Sequence, residues 1–132
     1  MKTGEALTPL IQQFQDAGIR VSLFMDPDLD QIKLAKEIGA DRIELYTGPY
    51  AQAYAAEDSS FPAIHEKFRE AAIFGQKLGL GINAGHDLNL ENLKKFIEIQ
   101  GILEVSIGHA FTVDSLLLGI DASVDSYLKT LA

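Results

Sequence analysis

The 132-residue chain contains no cysteine, which excludes disulfide frameworks, thiol nucleophiles and thiolate metal sites. Chemistry is left to carboxylate, imidazole, hydroxyl and backbone groups. Basic residues are also scarce: 11 Lys and Arg stand against 19 Asp and Glu, and the net charge of −8 repels a polyanion and argues against nucleic-acid binding. A single phosphate is a different matter, because a few amides and one imidazole act within ångströms of a ligand whatever the total charge. No apolar run approaches the roughly 18 to 20 residues of a membrane span, and Met1-Lys2-Thr3-Gly4-Glu5 lacks the basic-then-apolar order of a signal peptide. A cytoplasmic protein with no membrane partner is therefore expected.

There is no Gly/Ser or Pro-rich linker, charge block or low-complexity run, so residues 1–132 read as one domain. With 47% hydrophobic residues, such a domain buries roughly two thirds of its unfolded surface. Short β-branched or Leu-rich runs alternate with longer amphipathic stretches, the pattern of βα units around a parallel sheet. Thr8 before Pro9 is predicted to cap an opening helix that Gly18 ends. A strand follows over Arg20–Asp26, then a helix capped by Asp28 with Gln31 closing a capping box, Ile32, Ala35 and Ile38 on its inner face and Gly39 as terminator. Arg42–Thr47 is the second strand, and Gly48–Ser60 a partly helical excursion over the sheet rim. A long helix over Pro62–Leu78, a strand over Leu80–Ala84, a helix over Leu90–Ile99 and a strand over Leu103–Ile107 come next. Helices over Val113–Leu118 and Ala122–Leu131, hinged near Gly119, close the chain.

Four strands at this spacing match half of a (β/α)8 TIM barrel, which usually takes ~250 residues. The predicted fold is thus α/β, about four βα units preceded by a helix. An open four-stranded parallel sheet leaves two edges and a concave face uncovered, so a missing half, a second copy or a rearranged sheet is expected to cover them.

Reactive groups in α/β sheets gather where strands end and helix N-termini point their amides outward. Gly108-His109, just before Thr112 as the expected helix cap, combines close backbone approach, an imidazole and free amides, which suits a phosphate monoester. Equally, Gly108 serves the turn alone and His109 is a hydrogen-bonded rim residue. His86, after Asn83-Ala84-Gly85, either acts as general acid or base at a strand end or is a satisfied structural histidine. Glu44 lies within a strand, opposite in phase to Ile43 and Leu45, so it is expected on the inner side. A carboxylate there needs a partner, and an ion pair to Arg or Lys is the alternative to catalysis. Tyr46, Tyr50 and Tyr54 could stack on a flat ring, but are read as covering the sheet end.

Other patterns fall away. Asp26-Pro27-Asp28 lacks the partners of a phospho-acceptor site, so Asp28 reads as a cap. Gly79-x-Gly81-x-x-x-Gly85 misses the dinucleotide spacing by one residue and follows a helix, His65-Glu66 lacks a second His four residues on, and no Walker-type loop occurs.

Val21-Ser22-Leu23-Phe24-Met25-Asp26, Ile43-Glu44-Leu45-Tyr46-Thr47-Gly48, Leu80-Gly81-Ile82-Asn83-Ala84-Gly85-His86 and Ser106-Ile107-Gly108-His109-Ala110 occur in the order and spacing of the pyridoxine 5-phosphate synthase family, which the chain resembles along nearly its whole length. The resemblance implies the C-terminal half of a (β/α)8 barrel. It implies condensation of 3-amino-2-oxopropyl phosphate with 1-deoxy-D-xylulose 5-phosphate, giving pyridoxine 5-phosphate, phosphate and water. His86 then matches the family's proton-donating His, Glu44 its transition-state-stabilising carboxylate, and Gly108-His109 part of the phosphate site for the aminoketone. Asp87 falls where the family usually has a Gly that touches that phosphate, and its carboxylate repels the ligand unless it turns away to cap the next helix. Tyr46 replaces the His usual in that strand, and the Arg common after Gly-His-Ala is missing. The family's other catalytic His and Glu belong to its N-terminal half. No metal or cofactor is called for, the B6 ester being product. The expected partners are the two phosphorylated substrates and either further copies of the chain or a separate N-terminal half. The alternative is a half-barrel without catalysis that folds by such pairing.

Overall fold

The computed structural model describes residues 4–132. Met1–Thr3, and with them most of the segment read for a signal peptide, lie outside the described residues. A 3-10 turn at Glu5–Leu7 leads into helix α1 (Thr8–Asp16). Strand β1 (Ser22–Met25), helix α2 (Leu29–Glu37) and strand β2 (Arg42–Tyr46) follow. Helices α3 (Gly48–Ala55) and α4 (Phe61–Lys77) precede strand β3 (Gly81–Gly85). The short helix α5 (Leu93–Phe96), strand β4 (Ile102–Ser106) and helices α6 (His109–Leu118) and α7 (Ile120–Leu131) complete the chain. The strands form one parallel sheet in the order β1-β2-β3-β4. This is the expected half-barrel arrangement.

Period-two alternation sorts each strand between two faces. Ile43 and Leu45 of β2 and Ile82 and Ala84 of β3 are fully buried on the helix-covered face, with Ile32 and Ala35 of α2, Phe68, Ala71 and Ala72 of α4, and Leu93 and Phe96 of α5 in the same core. Gly75 lets α4 come close to the sheet: a methyl group there would stand 2.6 Å from Ile82 Cδ1. Tyr50 of α3 is buried among Phe61, Phe68 and Phe96, and its hydroxyl donates to the Asn92 carbonyl at 2.8 Å. Burial raises that hydroxyl's pKa, so it stays a donor. The packing reading of Tyr50 holds, and Tyr54 likewise packs edge-on against Phe61.

Several expected boundaries shift. Asp28 caps α2 as expected, accepting from Gln31 N–H. Thr8 does not cap α1: Leu7 holds that position, and the Thr8 N–H is already satisfied by Glu5 O in the preceding 3-10 turn. The helix expected over Leu90–Ile99 shrinks to α5. Asn89 Oδ1 accepts from the amides of Glu91 and Asn92, and Asn92 Oδ1 accepts from Asn89 N–H, so side chains take the bonds a longer helix would need. At the other end α6 starts four residues earlier than expected, with Gly108 at its cap and Thr112 inside the first turn, its hydroxyl donating to Gly108 O at 3.1 Å.

Asp41 ties the start of the sheet to α1. Its Oδ2 accepts from Gln15 Nε2 at 3.0 Å and from Val21 N–H at 2.8 Å, and these bonds, Gln15's foremost, hold the carboxyl below its ordinary pKa. A carboxyl lowered in the folded state adds stability above its unfolded value of about 3.9 and loses it as pH falls through the folded value. Asp41→Asn should therefore lower stability to urea at neutral pH by less than about 1 kcal/mol, since solvent reaches the group. The difference from the unsubstituted chain should close below about pH 4.

Candidate functional site

The concave face carries the residues that alternation turns away from the helices: Ser22 and Phe24, then Arg42, Glu44 and Tyr46, then Gly81, Asn83 and Gly85, then Glu104 and Ser106. Two glycines of β3 make room for the side chains of β2. A methyl at Gly81 would meet Arg42 Cγ at 2.8 Å, and one at Gly85 would collide with Glu44 Oε1 and approach Ser106 Cβ to 2.9 Å. The glycines set aside as a cofactor loop thus have a steric task.

Toward the amino ends of the strands lies a polar network. Arg42 Nη1 donates to Asn83 Oδ1 at 3.0 Å and to Glu104 Oε1 at 2.6 Å, and Asn83 Nδ2 donates to Glu104 Oε2 at 3.1 Å. Arg20, just before β1, also reaches Glu104 Oε1 at 3.2 Å, although β1 and β4 are the two outer strands. The sheet is curved enough for this side chain to cross its arc. Between Ile82 and Asn83 the β3–β4 register shifts by one residue, which brings Glu104 opposite Asn83. Sequence reasoning missed this network, though the phase that put Glu44 inward also places Arg42 on its face.

Toward the carboxyl ends lie the candidate reactive groups. Glu44 faces inward as expected, over Gly85. No Lys or Arg nitrogen lies within 4.0 Å of it among the described residues, so the ion-pair alternative is not what the fold builds; Arg42 is engaged by Asn83 and Glu104. His86 directly follows β3 and has its ring edge-on to Tyr46, with centroids 4.9 Å apart, while Phe24 of β1 lies 5.6 Å beyond Tyr46. Tyr46 and Phe24 form an aromatic wall beside the imidazole; sequence reasoning weighed stacking for Tyr46 but favoured cover for the sheet end, and gave Phe24 no such place. A methyl at Gly48 would strike the Tyr46 hydroxyl, so a bare backbone there lets the ring lie down. Thr47 is buried, its N–H donating to Gly85 O at 2.9 Å and its hydroxyl to His86 O.

Asp87 does not cap the next helix. Its Oδ2 stands 2.9 Å from His86 Nδ1, both side chains being about half exposed. His86 and Asp87 have φ of 94° and 58°, so the turn after β3 is left-handed at two consecutive residues that carry side chains. On the adjacent strand, the chain leaves β4 through Ser106, Ile107 and Gly108. The first bond of α6 runs from Thr112 N–H to Gly108 O, leaving the amides of His109, Ala110 and Phe111 without intrahelical acceptors. His109 is exposed in that first turn, and no hydrogen bond or ion pair joins it to Glu44, His86 or Asp87 among the described residues.

The fold thus brings Glu44, His86, Asp87 and the Gly108-His109 turn to the carboxyl edge of three adjacent strands, and among these described residues the one side-chain ion pair joins His86 to Asp87. Among the described residues no group of three or more His, Asp or Glu is placed to hold a metal ion, and no helix is long and apolar enough to cross a membrane.

Comparison with known proteins places the chain among relatives. The family model of the pyridoxal phosphate biosynthesis protein PdxJ matches residues 1–132. The chain is similar to a pyridoxine 5'-phosphate synthase of Albidiferax ferrireducens, 50% identical over 127 residues that cover 96% of this chain and 50% of that protein. The synthase of Leptospira biflexa is 44% identical over 131 residues, 99% of this chain and 50% of its own length. That of Flavobacterium johnsoniae is 48% identical over 132 residues, 99% and 54%. The chain spans about half the length of these curated relatives.

The place of Glu44 over Gly85 is open to a direct check. Gly85→Ala should cost about 1 to 3 kcal/mol in urea unfolding, because the added methyl meets the carboxylate and Ser106. Adding Glu44→Ala should return part of that loss, whereas strictly additive effects would mean that the two positions do not share this space.

Proposed function

The chain belongs to the pyridoxal phosphate biosynthesis protein PdxJ family, and from that membership we propose that it supplies half of the active site of a pyridoxine 5'-phosphate synthase. The reaction joins 3-amino-2-oxopropyl phosphate to 1-deoxy-D-xylulose 5-phosphate, a transferase chemistry that yields pyridoxine 5'-phosphate, phosphate and water. The observation that carries the reading is the family match over all 132 residues, and the convergence of Glu44 and His86 at one edge of the sheet supports it. In this proposal His86 donates a proton and Glu44 stabilises positive charge as it develops in the transition state. The amides of His109, Ala110 and Phe111 bind the aminoketone phosphate, with the small Gly108 allowing close approach. Asp87 meets that phosphate through its backbone alone, because its carboxylate is turned onto His86 and would repel an anion.

Schiff-base formation, proton abstraction, loss of phosphate and ring closure need several acid–base groups held together, so the remainder of the site belongs to a complementary half. Assay of the two substrates should give product when the chain is mixed with the N-terminal half of the Albidiferax ferrireducens relative, and none without it. His86→Gln and Glu44→Gln should each lower the rate of the mixture by about two to four orders of magnitude. Product from the chain alone would overturn the half-site proposal, and no product from either would overturn the activity.

A second reading is a half-barrel without catalysis that associates with further copies of itself. It is favoured by the uncovered outer strands, where Phe24 and Leu103 are each 58% exposed, and by Leu116 at 83% on α6. Sedimentation at micromolar concentration should show association in the absence of any complementary half. A stable monomer with a two-state melt would remove the need for a partner.

A further inference from the structure

His86 is restrained from three directions. Thr47 donates its hydroxyl to the His86 carbonyl, which pins a backbone at φ 94° that residues with side chains rarely adopt. The Tyr46 ring, steeply inclined to the imidazole, flanks it from β2. The third restraint is chemical: Asp87 Oδ2 lies 2.9 Å from Nδ1. A carboxylate oxygen and a bare ring nitrogen both present lone pairs and repel at that separation, so Nδ1 carries the proton even in the neutral ring. Neutral imidazole has one N–H, and Nε2 is left with its lone pair.

We propose that Asp87 is a positioning residue for His86, fixing the Nδ1-protonated tautomer so that Nε2 is the nitrogen that exchanges protons with a molecule bound at the strand ends; the proton transfer rests on the synthase reading, while the tautomer does not. Aspartate suits the position on two counts. Its short polar side chain is among the few that tolerate the left-handed backbone of Asp87, at φ 58°. From there its carboxylate reaches the preceding ring without lengthening the turn. The other ionisable groups at this end are Glu44, lying over Gly85 on the concave face, the Tyr46 hydroxyl, which lies against Gly48, the exposed His109, and Asp26 and Asp28 after β1, and among the described residues Asp87 is the one carboxylate paired with the imidazole. The same contact accounts for a carboxylate beside a proposed phosphate site: the charge is directed at the imidazole.

The experiment is a long-range proton–nitrogen NMR correlation on the 15N-labelled chain, above the ordinary titration range of histidine so that the rings are neutral. His86 should show a protonated Nδ1 and an unprotonated Nε2. Asp87→Gly, which accepts the left-handed backbone without strain, should convert His86 to a mainly Nε2-protonated ring and leave the exposed His109 ring in the same spectrum unchanged. An Nε2-protonated His86 in the unsubstituted chain, or an Nδ1 proton that survives Asp87→Gly, would overturn the proposal. Product assay separates the two claims: a failed synthesis with the stated tautomer removes the reaction, and a wrong tautomer in an active mixture removes the positioning role alone.

Discussion

Everything at the site depends on the side-by-side parallel pairing of β2 and β3. Their alternation sends Ile43, Leu45, Ile82 and Ala84 to the helices and Arg42, Glu44, Tyr46 and Asn83 to the concave face, so one register both builds the core and aims the polar groups. A slip of one residue would exchange the two sets, placing a guanidinium and a carboxylate among buried aliphatics. The glycines of β3 then decide how the inward side chains lie, because Arg42 and Glu44 use the space that side chains at 81 and 85 would fill. The hydrophobic pattern that stabilises the sheet is also what assembles the candidate site.

Much of this is legible in the sequence. Four strands and the intervening helices follow from short apolar runs between Gly and Asp punctuation, and the inward phase of Glu44 follows from its neighbours Ile43 and Leu45. Boundaries were less legible where side chains compete with the backbone. Asn89 and Asn92 turn an expected ten-residue helix into one turn, and the 3-10 turn at Glu5–Leu7 removes the cap expected of Thr8. The start of α6 at His109 was hidden because Thr112 has the chemistry of a cap, yet spends its hydroxyl on Gly108 O within the first turn.

The site was legible in its members and not in its contacts. Strand ends named His86, Asp87 and Gly108-His109, but linear spacing carries no sign of how a left-handed turn folds Asp87 back onto His86, or of Tyr46 lying flat against Gly48. The Arg42–Asn83–Glu104 cluster was missed because its members come from three strands, and a register shift between β3 and β4 brings the last of them into place. Pairing across a sheet is set by register, which a single strand's sequence does not contain.

The contact between Arg20 and Glu104 has a wider consequence. It spans the four strands from one side to the other, like a cord drawn across a bow, and so helps set the radius of the arc before anything else docks against it. On the half-site proposal, a surface already bent to shape would spare a complementary half the work of bending it. Because both ends of the cord stand about half in water, dissolved ions loosen it, and the curvature of this layer becomes a matter of ionic strength.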